Sequence, residues 1–563
     1  MSFLKKIKST DYANKLVVLI LIIIISLINI VSTHYFFRID LTNDKKYSIS
    51  HHTKTIISQL DDIIYFKIYL HGDLPVEYKK LETEIKYLLN EFKSYSEYID
   101  YDFIDISSME NEEYKYSLQQ ELYSKGIPVI PHRNQQNNKI EEFYIFPGAL
   151  VSYKGNTETS IAFIKDGIRN DEQLKEAIED LEYLFVNSIR GITTKTQQRI
   201  GLINGHNEVT NNLISSFREI VSEHYELIDL EINEQLLSLN NLDCIVINNP
   251  KSSFSEKDKF IIDQFIMNGG KSIWIMNGTT ANMDSLQSKS ETIVLPNNSR
   301  NLDDLLFKYG VRINTDIIQD LSSSSIPIAT HIVNERPQFE LFPWVFFPVI
   351  NPKSQHLITK NINPIKTEFP SSIDTINNQV KKTILLQTSN YTKSNLTPIL
   401  INLENETKIN EVLFNQKSKN IAVLLSGPFE SVFKNRLTQT ISKDPNIKFK
   451  DSINNNHILV ISDAFFIQNQ FFQGQNLPLG LDQWTGYQFG NGTFILNSLE
   501  FMLNNKTFIE IRSKKIPTRL LDKQKIKKQK NYWQIINIGL PLIMIIIVQS
   551  LIFFLRRRKY NYI

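Results

Sequence analysis

A short polar loop, Asn204-Gly205-His206-Asn207-Glu208, holds the residues of this chain best suited to chemistry. An imidazole two positions from a carboxylate, as in His206 and Glu208, can transfer protons or bind a metal ion. The alternative is a structural turn whose side chains cap the next helix, because the sequence shows no third partner. Ser462-Asp463 follows a later apolar run and can face the same crevice. The predicted ligand- or partner-binding residues are Asn204, Gly205, His206, Asn207, Glu208 and Asp463.

Motifs of the common hydrolytic enzymes are absent from the sequence. A Gly-x-x-x-x-Gly-Lys-Ser/Thr phosphate loop does not occur: Gly270-Lys271-Ser272 resembles only its end, because Phe265 stands where the first glycine is required. A Gly-x-Ser-x-Gly elbow and a His-Glu-x-x-His zinc motif are also missing. We therefore assign no catalytic residue, metal or cofactor and expect that the chain is not an enzyme.

Composition limits the possible partners and bonds. The 563 residues carry a formal net charge of only +2, which argues against a nucleic-acid-binding body because such bodies are usually strongly basic. Cys244 is the only cysteine, so the chain cannot form an internal disulfide or a cluster of thiolate ligands.

The loop at His206 lies in a predicted α/β domain that spans residues 195–510. Short apolar runs alternate with helical patterns, and this order predicts a doubly wound, flavodoxin- or Rossmann-like sheet with ligands at the carboxyl ends of its strands. Ser255 is the predicted cap of a helix over residues 256–268. The predicted strands are Arg199–Ile203, Tyr225–Leu230, Asp243–Ile247 and Ser272–Met276.

A large insertion is predicted at about residues 280–420 of this domain. Regular patterns weaken there, and Pro337, Pro343, Pro348 and Pro352 favour loops and short strands. Strand-like runs return at residues 421–425 and 458–461. We expect both runs to complete the same sheet.

An earlier α/β domain is predicted over residues 40–190. Ile63–Leu70 and Ile99–Ile106 read as strands, and Val76–Ser96 between them has helical spacing. Strand, helix and strand predict a βαβ unit, here a thioredoxin-like layer. Redox chemistry is excluded because a Cys-x-x-Cys pair is lacking.

Two apolar segments, residues 16–37 and 534–555, are predicted to anchor the chain in a bilayer. Each is long enough for a hydrocarbon core of about 30 Å, at roughly 1.5 Å per helical residue. The rival interpretations are a cleaved signal peptide for the first segment and a buried core helix for the second. A signal peptide would have a shorter apolar region and a small-residue cleavage site.

Lysines around the first apolar segment predict its orientation. Lys5, Lys6, Lys8 and Lys15 precede it, and the positive-inside rule then makes residues 1–15 and the tail 556–563 cytoplasmic. The body would lie in the periplasm of a bacterium, on a two-pass anchor in the inner membrane, with a basic linker over residues 511–533. A cytoplasmic body is the alternative, because lysines also precede the second segment.

The ordered set of segments resembles the GldG family of gliding-motility-associated auxiliary components of bacterial ABC transporters. The resembling pieces run along nearly the whole chain, between the two apolar segments. They are Asp40-Leu41-Thr42, Tyr47–Ser50, His71–Pro75, Gly205–Glu208, Phe254-Ser255-Glu256 with Gly269-Gly270, Trp344–Pro348 with His356, Ser371–Asp374 before Lys382–Leu386, Ile511–Lys514, and Asn537 with Pro541.

This resemblance implies a non-catalytic partner of a separate ABC ATPase and a separate multi-span permease. It also implies a link with gliding motility, and a middle domain similar to the α/β interaction domain of intraflagellar transport subunits. Two departures weaken a strict ligand site: Asn207, where related chains often carry glycine, and Ser462-Asp463-Ala464, where they often carry Asp-Gly.

Three functions compete at this point. The leading one is an auxiliary subunit whose body binds substrate or partner proteins outside the membrane. A membrane-tethered hydrolase that uses His206 and Glu208 is the second, and a purely structural scaffold is the third. The transported molecule and the oligomeric state are not specified by the sequence.

Overall fold

The structure is a computed structural model. It describes residues 16–26, 48–136, 139–155, 157–164, 171–193, 197–209, 211–289, 291–333, 336–403, 409–436, 449–512 and 523–560. The chain divides into two compact units, residues 1–515 and residues 516–563, and each is described by itself.

The first layer follows a short apolar helix, α1 (Leu16–Ser26). Its four-stranded sheet has the order β2-β1-β5-β6, with β1 parallel to β2 and the other pairs antiparallel. The parallel pair confirms the predicted βαβ unit. The elements are α2 (His51–Ser58), β1 (Ile64–Ile68), α3 (Val76–Tyr95), β2 (Ile99–Phe103), α4 (Glu112–Ser124), β3 (Ile130–Gln136), β4 (Lys139–Ile145), β5 (Gly148–Tyr153), β6 (Thr157–Ala162) and α5 (Asp171–Thr193).

Helices cover both faces of this sheet because each has one apolar stripe. Four apolar residues of α3 recur about once per helical turn, and all of them are buried against α5 and the sheet. They are Leu81, Ile85, Leu89 and Phe92. Helix α4 packs Leu118 and Leu122 in a separate core cluster with Leu150. Helix α4, the hairpin β3–β4 and the strands β5 and β6 are not among the predicted elements.

The second layer is built on a seven-stranded sheet with the order β8-β7-β9-β10-β22-β21-β18. Its strands and helices up to the insertion are β7 (Arg199–Asn204), α6 (Ser215–Ser222), β8 (Glu226–Glu231), β9 (Cys244–Asn248), α7 (Glu256–Met267) and β10 (Lys271–Ile275). A single turn of 3₁₀ helix, Asn211–Ile214, precedes α6.

Smaller elements form most of the insertion. They are α8 (Met283–Lys289), β11 (Glu291–Val294), α9 (Asp303–Tyr309), β12 (Val311–Ile313), β13 (Asp316–Asp320), β14 (Ser323–Val333), β15 (Arg336–Ile350), β16 (Ile365–Lys366), β17 (Ile373–Thr375), β18 (Lys381–Gln387), β19 (Thr392–Leu396) and β20 (Ile399–Asn402). The chain then forms β21 (Asn420–Glu430), β22 (Ser452–Ile461), β23 (Phe471–Phe472), β24 (Gln475–Asn476), α10 (Asn491–Met502) and α11 (Lys506–Arg512).

The predicted doubly wound sheet is confirmed. Strands β7, β8, β9, β10 and β22 run parallel, in the spatial order 2-1-3-4-5 of flavodoxin-like folds, while β21 runs antiparallel to β22. Helices α6 and α10 pack on one face, and α7 and α9 on the other. Strand β9 is buried at every position because both of its faces are covered.

The insertion differs from its prediction in two respects. Strand β18 lies within it by sequence yet forms an edge of the central sheet, against β21. Strands β14 and β15 form a long hairpin where loops and short strands are expected. Pro343 and Pro348 lie in β15 near a register shift, and a shift tolerates the missing backbone N–H of proline.

Helix α11 joins the two layers. Phe508 and Ile511 belong to the hydrophobic core of the first layer, although they follow the second layer in sequence. Arg512 donates to Glu500 of α10 (3.1 Å) and to the hydroxyl of Tyr183 on α5. Arg190 of α5 lies 3.8 Å from the same carboxylate.

The first and last helices of the body, α2 and α11, both contact α5. The backbone N–H of Ser50 and the hydroxyl of Thr53 both donate to Glu182 of α5 (2.7 and 2.6 Å). His52 of α2 pairs with Glu510 of α11. Helices α2 and α11 therefore contact each other, and both also contact α5.

The second unit contains α12 (Lys523–Tyr560), whose part Ile536–Phe554 is long and apolar enough to cross a membrane. Helix α1 is shorter, and the rest of the first predicted span, residues 27–37, lies outside the described residues. The predicted basic linker differs too, because Ile511 and Arg512 belong to α11 and residues 523–533 to α12.

Phe508→Ala tests the role of α11 in the first-layer core. The Phe508 side chain is only 9% exposed, so its removal leaves a cavity and should lower the free energy of unfolding by about 3 kcal/mol. Phe307→Ala is the control, because that ring is 51% exposed and should cost less than about 1 kcal/mol. Urea unfolding followed by circular dichroism measures both, and equal effects would contradict the packing described.

Candidate functional site

The candidate site lies where β7 and β9 diverge at the carboxyl edge of the sheet. Strand β7 turns toward β8 on one side while β9 continues toward β10 on the other, so the strand order reverses there. Ligands of doubly wound folds bind at such switch points. The loops that line this point are residues 205–209 after β7 and 249–254 after β9.

His206 is enclosed by its own chain and is only 8% exposed. Its ring stacks on Phe254, with centroids 3.6 Å apart and planes 9° from parallel. Nδ1 lies 3.4 Å from Oε1 of Glu208, and Nε2 lies 3.6 Å from Oδ2 of Asp258. A carboxylate therefore faces each ring nitrogen, and one ring face is covered.

Backbone hydrogen bonds hold the loop against the one after β9. The carbonyl of His206 accepts from the N–H groups of Lys251 (2.8 Å) and Ser252 (2.9 Å). The N–H of His206 donates to Glu208 (2.7 Å), and Asn207 donates to the hydroxyl of Ser252 (2.5 Å). Gly205 (φ 108°) and Asn207 (φ 57°) make the tight turn, in backbone regions that glycine and asparagine tolerate.

Asp258 was missed as a site residue by sequence reasoning, which assigned it only to the start of α7. The predicted cap is confirmed, because the Ser255 hydroxyl accepts from the N–H of Asp258 (3.1 Å). The Asp258 carboxylate also accepts from Ser255 (2.9 Å) and from the N–H of Glu234 (3.0 Å). Phe254 lies 48 residues after His206 in the sequence, so no local pattern shows that their rings stack.

Asn204 belongs to a different network from His206. Its side chain donates to Asp229 of β8 (3.2 Å), which also accepts two hydrogen bonds from Arg218 of α6 (2.8 and 2.6 Å). The Arg218 guanidinium holds the pKa of Asp229 below its ordinary value. Asn204 thus helps to join β7, β8 and α6.

Asp463 lies two residues after the end of β22, and β10 separates β22 from β9. It is buried and accepts from the N–H groups of Phe465 (2.8 Å) and Glu368 (3.0 Å). Burial raises the pKa of this carboxyl to about 8, against the opposing effect of the two amide donors. Among the described contacts, Asp463 pairs with the insertion and not with His206 or Glu208, so these candidates are not brought together.

Two further polar residues at this edge were missed. The guanidinium of Arg300 is buried and donates to the carbonyls of Pro250 (2.7 Å) and Asn277 (2.5 Å), so it ties the loops after β9 and β10. Burial lowers its pKa to about 10. Asn248, at the end of β9, is buried, and its amide has no hydrogen-bond partner within the described part of the chain.

The chemistry open to this arrangement is limited. An imidazole that already faces two carboxylates of its own chain, and stacks on a phenyl ring, is fixed in orientation. Within the residues that the structure describes, no group of three or more His, Cys, Asp or Glu side chains is arranged to hold a metal ion. The geometry therefore favours a structural role for this loop, in which it shapes the edge of the sheet. It favours an acid–base centre less.

Comparisons with known proteins identify two regions. Residues 197–498 match a family described as an ABC-type uncharacterized transport system, and residues 43–152 match a domain of unknown function. An uncharacterized protein of Borreliella burgdorferi is 22% identical over 540 residues, which cover 93% of this chain and 94% of the relative.

Two solved structures are distantly similar to this chain. The mmIFT52 N-terminal domain is 11% identical with a TM-score of 0.32, over 54% of this chain and 97% of that one. A ThuA-like protein from Parabacteroides merdae is 9% identical with a TM-score of 0.28, over 58% and 94%.

Asn207→Ala and Asn207→Gly form a matched pair that tests the turn. Both lose the hydrogen bond to Ser252, but only alanine places a Cβ in the left-handed backbone region at φ 57°. The alanine variant should therefore be less stable than the glycine variant by about 1 kcal/mol. Thermal unfolding of the two proteins decides the matter, and a less stable glycine variant would be the contrary result.

Asp463→Asn tests the buried carboxyl through pH. The folded pKa of about 8 lies above the unfolded value, so the folded state holds the proton more tightly and loses stability as pH rises toward 8. This group alone should lower the free energy of unfolding by at most about 1.4 kcal/mol per pH unit between about pH 5 and pH 8. Asparagine does not ionise, so the variant should gain stability relative to the unaltered protein across that window. Parallel pH curves for the two proteins would refute this.

Proposed function

Because this chain belongs to the family described as an ABC-type uncharacterized transport system, we propose that it is a non-catalytic auxiliary subunit of a bacterial ABC transporter. The family match over more than half of the chain is the observation that carries this proposal. A separate ABC ATPase and a separate multi-span permease would be its partners.

The sequence supports a role apart from ATP hydrolysis. It lacks the phosphate loop of ATPases, and Gly270-Lys271-Ser272 leads into strand β10 instead of a helix. The described residues contain one candidate membrane span, Ile536–Phe554, whereas a conventional permease requires several spans. Energy and a transport path must then come from other chains.

The two apolar segments, residues 16–37 and 534–555, support a two-pass anchor for the body. The second of them contains the candidate span Ile536–Phe554. Because lysines precede the first apolar segment, we place the body on the periplasmic side of a bacterial inner membrane.

We also propose that the chain has a role in gliding motility. It rests on the ordered GldG-like segments, such as His71–Pro75 and Trp344–Pro348. The body would bind substrate or partner proteins outside the membrane, through surfaces on its two layers.

The hydrolase alternative has less support from the geometry. His206 is packed on Phe254 and faces Glu208 and Asp258, so a substrate would have to displace these contacts to reach it. A hydrolase must lose all function in a His206→Ala, Glu208→Ala double variant that folds to normal amounts. An auxiliary subunit should keep its function whenever that variant folds.

Co-purification tests the proposed complex. The tagged full chain, purified from its own bacterium in mild detergent, should retain an ABC ATPase and a multi-span permease at fixed ratios, as identified by mass spectrometry. An ATPase inactivated in its own phosphate loop is the control, because assembly should not depend on hydrolysis. Recovery of the chain as a lone monomer, with both candidate partners abundant in the same extract, would refute the proposal.

A further inference from the structure

Basic side chains of the second layer gather around Phe501, near the end of α10. The ring centroids of His356 and His457 lie 4.6 and 5.5 Å from that of Phe501. Nζ of Lys506, at the start of α11, lies 4.7 Å from the same centroid. Together with two neighbouring lysines they form a group that we call the cationic cluster. Its members are His356, His457, Lys271, Lys381 and Lys506.

Strand register brings the two further lysines to the same place. Lys381 of β18 pairs with Ser426 of β21, and Ser426 pairs with His457 of β22. Lys271 is the residue before the first pair between β10 and β22, so it lies beside His457. Paired residues of neighbouring strands project from the same face of a sheet. This row lies on the face that α6 and α10 cover, because the residues two positions further into β10, β21 and β22 belong to that core.

Each imidazole of the cluster uses one ring nitrogen within the fold. Nδ1 of His356 accepts from the N–H of Ile358 (3.3 Å), and Nδ1 of His457 is bonded to the hydroxyl of Ser426 (2.9 Å), which can donate to it. A neutral imidazole whose Nδ1 accepts a hydrogen bond carries its proton on Nε2. Neither Nε2 has a hydrogen-bond partner among the described residues. Both half-buried rings can therefore donate to a ligand through Nε2.

The charges that act on these imidazoles are all positive. Burial lowers the pKa of His457 to about 4, with smaller contributions from Lys271, Lys506 and the other imidazole. Burial also lowers the pKa of His356, and Lys381 and Lys506 add to that shift. A carboxylate close to either ring would raise the pKa instead. In the described part of the chain, no carboxylate therefore neutralises the cluster at its imidazoles.

The lysines of the cluster also keep their charges. Lys271 donates to the carbonyl of Gly269 (2.9 Å) and to the side chain of Asn456 (2.7 Å), and both of these acceptors are uncharged. The ammonium groups of Lys381 and Lys506 form no salt bridge with a described residue. At neutral pH the cluster thus holds three positive charges and two neutral imidazoles.

Such a set of groups selects an anion. Positive charges that are gathered without a counter-charge repel one another, and an anion among them removes that repulsion. Ammonium and Nε2–H groups are donors, so the ligand must offer acceptor oxygens. A phosphate group carries a charge of about −1.5 to −2 at neutral pH and three acceptor oxygens, whereas a carboxylate carries one charge and two oxygens. Three ammonium groups therefore match a phosphate group better than a carboxylate.

We propose that the cationic cluster binds a phosphate group at the amino edge of the seven-stranded sheet. The ammonium groups of Lys381 and Lys506 contact it, Lys271 adds charge, and the two imidazoles donate through Nε2. The phosphate group belongs either to a soluble molecule or to a lipid headgroup, since both present the same oxygens. This site lies at the opposite edge of the sheet from His206, and it does not depend on the auxiliary role.

Lys381→Gln with Lys506→Gln tests the site in the purified full chain in detergent, titrated with inorganic phosphate by isothermal titration calorimetry at fixed ionic strength. Both side chains are exposed, so the variant should fold as the unaltered chain does. Its affinity for phosphate should fall by about tenfold or more, because two charge-assisted contacts are lost.

The matched control is Lys80→Gln with Lys86→Gln on α3. It removes the same charge from two exposed positions of the first layer and should bind phosphate as tightly as the unaltered chain. Equal weakening in both variants would reveal a general effect of net charge and overturn the proposal. Unchanged affinity in the Lys381→Gln, Lys506→Gln variant, or a lack of saturable binding by the unaltered chain, also overturns it. Each of these results leaves the auxiliary role standing.

Competition distinguishes the two sources of the phosphate group. Radiolabelled phosphate bound to the full chain is challenged with glycerol 3-phosphate, a soluble ester, and with dihexanoyl phosphatidic acid, a soluble lipid. Tighter competition by the first supports a soluble ligand, and tighter competition by the second supports a lipid headgroup. Displacement by neither overturns the proposal.

Discussion

A buried carboxylate holds the two layers of the body together. Glu500 of α10 lies between Arg512 of α11 and Arg190 of α5, at 3.1 and 3.8 Å. Burial raises the pKa of Glu500, while the attraction of the two arginines opposes that shift. A buried charge that loses its partner costs about 3–5 kcal/mol, so the three helices are fixed in one arrangement. The core contacts of Phe508 and Ile511 depend on this arrangement.

Helix α5 supports both the first and the last helix of the body. Helix α11 comes directly before the segment that leads to α12, and α2 comes soon after the first apolar segment. Both helices contact α5, whose Glu182 and Tyr183 bind them on successive residues.

Local patterns in the sequence predicted the elements but not their long-range partners. The apolar run 243–247 gave strand β9, and Ser255 with Asp258 gave the start of α7, because burial on both faces and helix capping leave signals within a few residues. The stack of His206 on Phe254 and the bonds from Glu368 to Asp463 join residues far apart in sequence. Strand β18 was not predicted as part of the central sheet for the same reason. Its place beside β21 depends on pairing between segments more than 30 residues apart in sequence, which leaves no local pattern.

The loops at the switch point of the second layer are bonded mainly to one another. At the switch point, Arg300, Asp258 and the His206–Phe254 stack bond the loops to one another, so a ligand would have to replace contacts that the fold already makes.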